Sequence, residues 1–145
     1  MAEERRSRLR LAEMLASVPL FSGLGKRDLE RLADAGREVT FEAGKKILTE
    51  GEPGLAFLLV LNGKVEVRKK GRVVATLGKG RFFGEMTVID DKPRSADVVA
   101  VTATTCFGLT SWSFSGLLRS YPQIAIGVTK ELVRRLREAE GTVTD

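Results

Sequence analysis

The sequence contains no histidine and only one cysteine, Cys106. Histidine is the commonest transition-metal ligand and the commonest general base at neutral pH, so its absence argues against a metal site and against most acid–base catalysis. A lone cysteine cannot form an internal disulfide, and the apolar alternation of TATTCFGLT predicts a small core residue there rather than a reactive thiol. We expect the adjacent Asp90 and Asp91 to point apart more readily than they converge on a turn. We therefore expect no catalytic residue, no metal ligand, no cofactor and no enzyme activity.

Long apolar runs are also absent. No run reaches the roughly 18 residues that a membrane helix needs, and the first residues lack the apolar stretch of a signal peptide. We therefore expect no membrane span and a cytoplasmic location. A chain of 145 residues with 43% hydrophobic content can bury one ordinary core, which predicts a single domain over residues 1–145.

The net charge of +5 is not clustered. The arginines and lysines near both ends of the sequence are mixed with glutamates, a pattern typical of solvated helix faces rather than of a stripe that follows phosphates. No helix-turn-helix pattern follows the last predicted helix, so direct DNA binding by this sequence is not expected.

Hydrophobic periodicity divides the sequence into three parts. Helical spacing over residues 8–16 and 26–35 predicts N-terminal helices within about residues 8–36, with Gly36 as the stop of the second. A period of two over residues 37–111, with frequent glycines, predicts strands. Helical spacing returns over residues 112–140, interrupted by Pro122.

Two glycine-containing pairs mark turns within the strand region. Asn62-Gly63, between FLLVL and KVEVR, predicts a type I′ hairpin, and Lys70-Gly71 predicts a second turn of related kind. The sequence therefore predicts an α+β fold: an antiparallel β-roll (a double-sheet, jelly-roll-like barrel), flanked by N-terminal helices and by C-terminal hinge and lid helices.

Residues 82–98, FFGEMTVIDDKPRSADV, carry the chemistry. Gly84 lets the backbone turn sharply, and the free N–H groups of the helical turn that follows favour an anion. Pro93 holds the returning chain, so that Arg94 can grip two phosphate oxygens and Ser95 can add a hydroxyl donor. The carboxylate of Glu85 is an acceptor that suits a sugar hydroxyl. The segment predicts a site for a compact phosphorylated sugar.

This stretch resembles the phosphate-binding cassette of cyclic nucleotide-binding domains, which occur in protein kinase A regulatory subunits, the bacterial catabolite activator protein and cyclic-nucleotide-regulated channels. The upstream stretch AGKKILTEGEPGLAFLLVLNGKVEV resembles the early strands of the same family. The resemblance covers roughly residues 15–138.

The resemblance implies that Glu85 binds the ribose 2′-hydroxyl and Arg94 the cyclic phosphate, with backbone N–H groups of neighbouring residues lining the pocket. It implies the ligand-binding set Phe83, Gly84, Glu85, Met86, Arg94, Ser95 and Ala96. Residues of the last helix close over the base in relatives, which makes Leu132, Arg135 and Leu136 the candidate lid. Ser95 is compatible with both cAMP and cGMP. We expect cAMP as the preferred ligand and cGMP as the second possibility.

Two other interpretations stay open. In the first, the pocket is degenerate, Glu85 and Arg94 form only a salt bridge across a turn, and the chain is a protein-interaction module that docks through its C-terminal helix independently of nucleotide. In the second, the sequence is a fragment of a cAMP-dependent transcription regulator. In the interpretation that we favour, the domain senses its ligand without hydrolysing it and signals to an effector domain or protein partner through the C-terminal helix.

Overall fold

The computed structural model describes residues 1–53, 56–85, 89 and 92–141. Its helices are α1 (Ala2–Ala16), a 3₁₀ turn (Pro19–Phe21), α2 (Lys26–Ala35), α3 (Ser111–Ser120) and α4 (Pro122–Glu140). Its strands are β1 (Arg37–Phe41), β2 (Lys46–Leu48), β3 (Ala56–Asn62), β4 (Val65–Lys69), β5 (Arg72–Leu77), β6 (Phe82–Phe83), β7 (Asp97–Ala100) and β8 (Thr104–Thr110). None of these helices combines the length and apolar character needed to cross a membrane.

The strands form two four-stranded sheets in which the paired strands are antiparallel. One sheet has the order β1-β8-β3-β6, and the other has the order β2-β7-β4-β5. A cluster of buried side chains from both sheets fills the space between them. The predicted α+β fold, a double-sheet roll preceded in sequence by N-terminal helices and followed by C-terminal helices, is therefore confirmed.

Strand β3 buries both of its faces. Successive side chains of a strand point to opposite faces, so AFLLVLN supplies two cores at once. Phe57, Leu59 and Leu61 enter the core on the helix side, whereas Leu58 and Val60 enter the core between the sheets. The sheet that contains β3 therefore lies between the other sheet and the helices.

Aromatic packing fixes the C-terminal helices to this sheet. The ring of Phe114 in α3 stacks on that of Phe57, with centroids 4.1 Å apart and planes 10° apart, and Phe82 lies 5.5 Å from Phe57 on another side. Ile124 and Val128 in the first half of α4 are buried in the same core. Burying an aliphatic side chain contributes about 1.5–3 kcal/mol, so this half of α4 is held by apolar contact.

Helix α2 has the predicted bounds, but α1 begins at Ala2 rather than at residue 8. The additional turns are exposed and carry no apolar periodicity, which is why hydrophobic spacing missed them. Glu3 and Glu4 in the first turn interact favourably with the positive end of the helix dipole. Gly36 ends α2 with extended backbone; a Cβ there would lie 2.5 Å from the Phe107 ring, so close packing against β8 requires the glycine.

The two predicted hairpins have different outcomes. Lys70-Gly71 forms the expected two-residue turn: Lys69 pairs with Arg72, and both turn residues have positive φ. The prediction of a hairpin at Asn62-Gly63 is wrong, because β3 and β4 belong to different sheets. Gly63 has φ +106 and carries the chain from one sheet to the other, where a Cβ would collide with Thr104 at 2.6 Å.

Candidate functional site

The site begins at the sharp turn after β6. Gly84 has φ +86, a left-handed backbone that other residues rarely adopt. A Cβ at this position would lie 2.7 Å from the carbonyl oxygen of Ala56 and 2.9 Å from Nη1 of Arg94. Glycine is therefore required here both for the turn and for the close approach of the arginine.

Arg94 is fixed through its backbone and its side chain. Its N–H donates to the carbonyl of Glu52 at 2.7 Å, and its carbonyl accepts from the N–H of Gly51 at 2.8 Å. The side chain is only 6% exposed; Nη1 donates to the carbonyl of Gly84 at 3.0 Å and Nη2 to that of Ala56 at 2.8 Å. The guanidinium is thus held by the roll.

The charge of Arg94 is not matched by an ion pair within the described residues. Burial lowers the pKa of its guanidinium and the nearby Glu85 partly restores it, but an arginine remains protonated in proteins. A buried cation that donates to neutral carbonyls has paid a desolvation cost without a directly bound counterion. Such an arrangement favours an anionic ligand.

Glu85 is 2% exposed and is paired with α4 rather than with Arg94. Its Oε1 accepts from Nη1 of Arg135 at 2.7 Å. Burial raises the pKa of the Glu85 carboxyl, and the positive charge of Arg135 acts against that rise. The alternative interpretation, in which Glu85 and Arg94 form a salt bridge with each other across the turn, is not what the structure shows for these residues.

Arg135 connects the second half of α4 to the edge of the roll. Besides Glu85, it contacts Phe82 twice: Nη2 donates to the carbonyl oxygen at 2.5 Å, and Cζ lies 4.8 Å from the ring centroid. Its Nε donates to Oε2 of Glu131, one turn earlier in α4, at 2.8 Å. One side chain therefore joins α4, β6 and the acidic residue of the site.

The remaining predicted cassette residues lie around this cluster. Phe83 is buried in the core between the sheets, and Ala96 is also buried. Ser95 is exposed beside the buried Arg94. Met86 lies outside the described residues.

The three predicted lid residues have different environments. Leu132 packs against the helix-side core, whereas Leu136 is 58% exposed. Of the three, Arg135 is the one for which the described part of the chain provides polar contacts to the cluster.

Sequence reasoning missed several contributors. Ala56 and Phe82 act through backbone carbonyl oxygens, which have no sequence signature. Glu131 had a detectable signal, since it stands four residues before Arg135 on a predicted helix, the spacing of an ion pair. The contact of that pair with Glu85, across 50 positions of sequence, had none.

Thiol chemistry and metal binding have little support in the part of the chain that the structure describes. Burial raises the pKa of the Cys106 thiol to about 12, so the residue behaves as the predicted core side chain. Among the cysteine, aspartate and glutamate residues that the structure describes, no group of three or more is placed to hold a metal ion.

Comparison with known proteins gives a consistent result. The family described as "Cyclic nucleotide-binding domain" matches residues 38–121. A "cAMP-dependent protein kinase regulatory subunit" of Yarrowia lipolytica is 44% identical over 106 residues, covering 72% of this chain and 28% of that protein. The "Cyclic AMP receptor protein" of Thermus thermophilus is 35% identical over 127 residues, covering 84% of this chain and 59% of that protein.

A solved structure described as "Sp-2Cl-cAMPS bound to PKAR CBD2" has the same fold, with a TM-score of 0.79 and 25% identity over 94% of this chain and 93% of that one. The two curated relatives are longer: this chain spans 28% and 59% of their lengths.

Proposed function

Because this chain belongs to the cyclic nucleotide-binding domain family, we propose that it binds a cyclic nucleotide, cAMP in the first place and cGMP in the second, as a ligand-sensing regulatory module. The observation that carries the proposal is the buried guanidinium of Arg94, which donates to neutral carbonyls and lies near the buried carboxylate of Glu85. A ribose that carries a phosphate would supply an anion for the guanidinium of Arg94 and a hydroxyl donor for the carboxylate of Glu85.

The phosphate would bind to the guanidinium N–H groups of Arg94 that are not donated to Gly84 and Ala56. Charge-assisted contacts of this kind are about twice as strong as neutral hydrogen bonds. Backbone N–H groups at Gly84, Met86 and Ala96 and the hydroxyl of Ser95 would complete the donor set. The exposure of Ser95 beside buried Arg94 is consistent with a ligand approaching from solvent.

The ribose would bind to Glu85. A carboxylate offers about four lone-pair sites, of which Arg135 occupies one through Oε1, so a 2′-hydroxyl can donate to the same carboxylate without displacing the arginine. Arg135 would then lie at the ribose edge of the site rather than over the base, whereas Leu132 and Leu136 remain candidates for contact with the base.

The output would be a movement of α4. Its first half is anchored by apolar burial and its second half by ion pairs at the site, so ligand binding would act on the second half. The module would bind its ligand without hydrolysis and pass the signal to an effector domain or protein partner through α4.

Thermal melts of the wild type and Arg94→Ala, each with cAMP, cGMP, adenosine or no ligand, test the proposal. Ligand at about a hundred times its Kd adds about 2.7 kcal/mol, which raises Tm by about 5–10 °C. Arg94→Ala should lose about tens to thousands of fold in affinity, and adenosine, which lacks phosphate, should give little shift with either protein.

Arg68→Ala is the matched control, because Arg68 pairs with Glu66 on β4 and takes no part in the site. It should retain the wild-type shift. If neither cyclic nucleotide moves the wild-type Tm even at about millimolar concentration, the interaction-module alternative is favoured. Partner capture that is identical in the wild type and Arg94→Ala would support that alternative.

A further inference from the structure

Three arginines converge on one carboxylate of α4. Glu131 Oε2 accepts from Arg81 at 2.7 Å, from Arg134 at 2.8 Å and from Arg135 at 2.8 Å, and its Oε1 accepts from Nε of Arg134 at 3.0 Å. The Glu131 side chain is 18% exposed. A single surface ion pair contributes little to stability, but a shared, partly buried carboxylate fixes several side chains relative to one another.

One of these contacts determines how Arg135 is oriented. The guanidinium is planar and its N–H groups form a rigid fork, so fixing Nε also fixes the direction of Nη1 and Nη2. Glu131 holds the Nε edge, and the two remaining nitrogens then face Glu85 and the carbonyl of Phe82. The orientation of the Glu85 carboxylate is therefore coupled to Glu131 through one rigid group.

A second contact of Glu131 reaches the same part of the roll. Arg81 immediately precedes Phe82, the residue whose ring and carbonyl support Arg135. Glu131 therefore binds both the arginine that contacts Glu85 and the side chain of the residue that precedes Phe82.

We propose that Glu131 is a positioning residue of the nucleotide site: it orients Arg135, which orients Glu85, and it thereby sets the preference for a ligand that carries a ribose 2′-hydroxyl. This inference rests on the proposed function. Glu131 itself touches no ligand, so its effect is on discrimination between ligands rather than on phosphate binding by Arg94.

Calorimetric titration of cAMP and 2′-deoxy-cAMP into the wild type and Glu131→Gln separates positioning from a general structural role. The wild type should bind cAMP more tightly, and the ratio of the two affinities should fall about three- to tenfold in Glu131→Gln, as expected for a coupled pair in contact. Glu138→Gln makes the same chemical change on the same helix and should leave the ratio unchanged, because Glu138 pairs with Arg134 alone among the three arginines.

Equal weakening of both nucleotides in Glu131→Gln, with an unchanged ratio, would overturn the inference and leave the proposed function standing. Wild-type protein that binds neither nucleotide would overturn the proposed function and this inference with it. Arg135→Lys provides a second variant. By itself, this substitution should lower the ratio of cAMP affinity to 2′-deoxy-cAMP affinity. Adding Glu131→Gln to it should lower that ratio no further.

An NMR measurement on the ligand-free protein tests the same coupling without nucleotide. The Nε–H group of Arg135 donates to Glu131 and should give a resonance with slowed solvent exchange, assigned by its loss in Arg135→Lys. That resonance should disappear in Glu131→Ala, which removes the acceptor, and persist in Glu138→Gln. Its persistence in Glu131→Ala would contradict the inference.

Discussion

The two charged residues at the centre of the site are held in different ways. Arg94 is held within the roll, by backbone hydrogen bonds to Gly51 and Glu52 and by side-chain donation to two carbonyls. Glu85 is paired with Arg135, a residue of the last helix. Among the described residues, the proposed phosphate part of the site is therefore built by the roll, whereas the proposed ribose part depends on the position of α4.

Under the proposed function, this difference would separate binding from signalling. The ligand would first be captured where the site is already formed, and its sugar would then meet a carboxylate whose partner belongs to α4. The first half of α4 is fixed by Ile124 and Val128, whose apolar contacts are not weakened by salt. The second half is held instead by ion pairs to Glu85 and Glu131, whose side chains are largely buried, so salt screens these pairs less than it screens exposed ones. Under the proposed function, a ligand that binds beside Glu85 would act on this second half.

Gly84→Ala should have the largest effect, because it breaks the half of the site that belongs to the roll. The new methyl group would meet the Ala56 carbonyl and the Arg94 guanidinium, on a backbone with positive φ. We expect a loss of about 2–4 kcal/mol in the free energy of unfolding and of at least about a hundredfold in cyclic nucleotide affinity. Urea denaturation and calorimetric titration measure the two losses.

Gly44→Ala is the control for backbone strain. Gly44 has φ +87, nearly that of Gly84, but no atom lies within 4 Å of a Cβ placed there. It should cost about 1–2 kcal/mol of stability and leave nucleotide affinity unchanged. Equal effects of the two substitutions would mean that the collision at Gly84 has no part in holding Arg94.

Local patterns made much of the fold predictable. Helix α2 was found at its observed bounds because Leu29, Leu32 and Ala33 recur at helical spacing and all three are buried. The apolar run of β3 predicted a strand, and burial on both faces explains why it shows little polar alternation. Gly84, Glu85 and Arg94 could be predicted as site residues because their chemistry is concentrated in one short segment.

The errors arose where tertiary structure decides. Asn62-Gly63 has the composition of a hairpin turn, but the strands that it joins pair with others from distant parts of the chain. The contacts of Arg135 within the site were not predicted, because a helix residue gives no indication of register against a distant strand; the role of Arg135 over the base stays a prediction. Its contacts with Glu85 and Phe82 depend on how Phe114 and Ile124 dock the C-terminal helices, which no local pattern encodes.

Glu85→Gln should change the pH dependence of stability, an effect smaller than that of Gly84→Ala. It concerns the half of the site that is supported by α4. Burial raises the folded-state pKa of Glu85 above its unfolded value, so the folded state holds its proton more strongly. The contribution of this group to stability is therefore fully present below the unfolded pKa, about 4.3, and is lost as pH rises through the raised folded-state value. The wild type should lose stability relative to Glu85→Gln over that window.

Urea denaturation of both proteins at closely spaced pH values from about 4 to 8 measures this difference. A wild type that gains stability relative to the variant as pH rises would show that Arg135 outweighs burial and lowers the pKa of Glu85 overall. The same titration with Arg94→Lys should show the wild-type pattern, since this substitution keeps a positive charge near Glu85.

Glu138→Gln should have the smallest effect on stability of the substitutions in this series. It serves as the reference for an ion pair on the exposed face of α4. Glu138 pairs with Arg134 one turn away on α4, and its side chain is 60% exposed. An exposed i,i+4 pair contributes about 0.3–0.5 kcal/mol, so Tm should change by no more than about 3 °C, and about 1 M salt should remove most of the difference. Glu131→Gln should destabilise more and depend less on salt, because its carboxylate is less exposed and shared by three arginines. If the two variants lost equal stability with equal salt dependence, the second half of α4 would be held no more firmly at the site than at its exposed face, and a ligand would have little on this helix to rearrange.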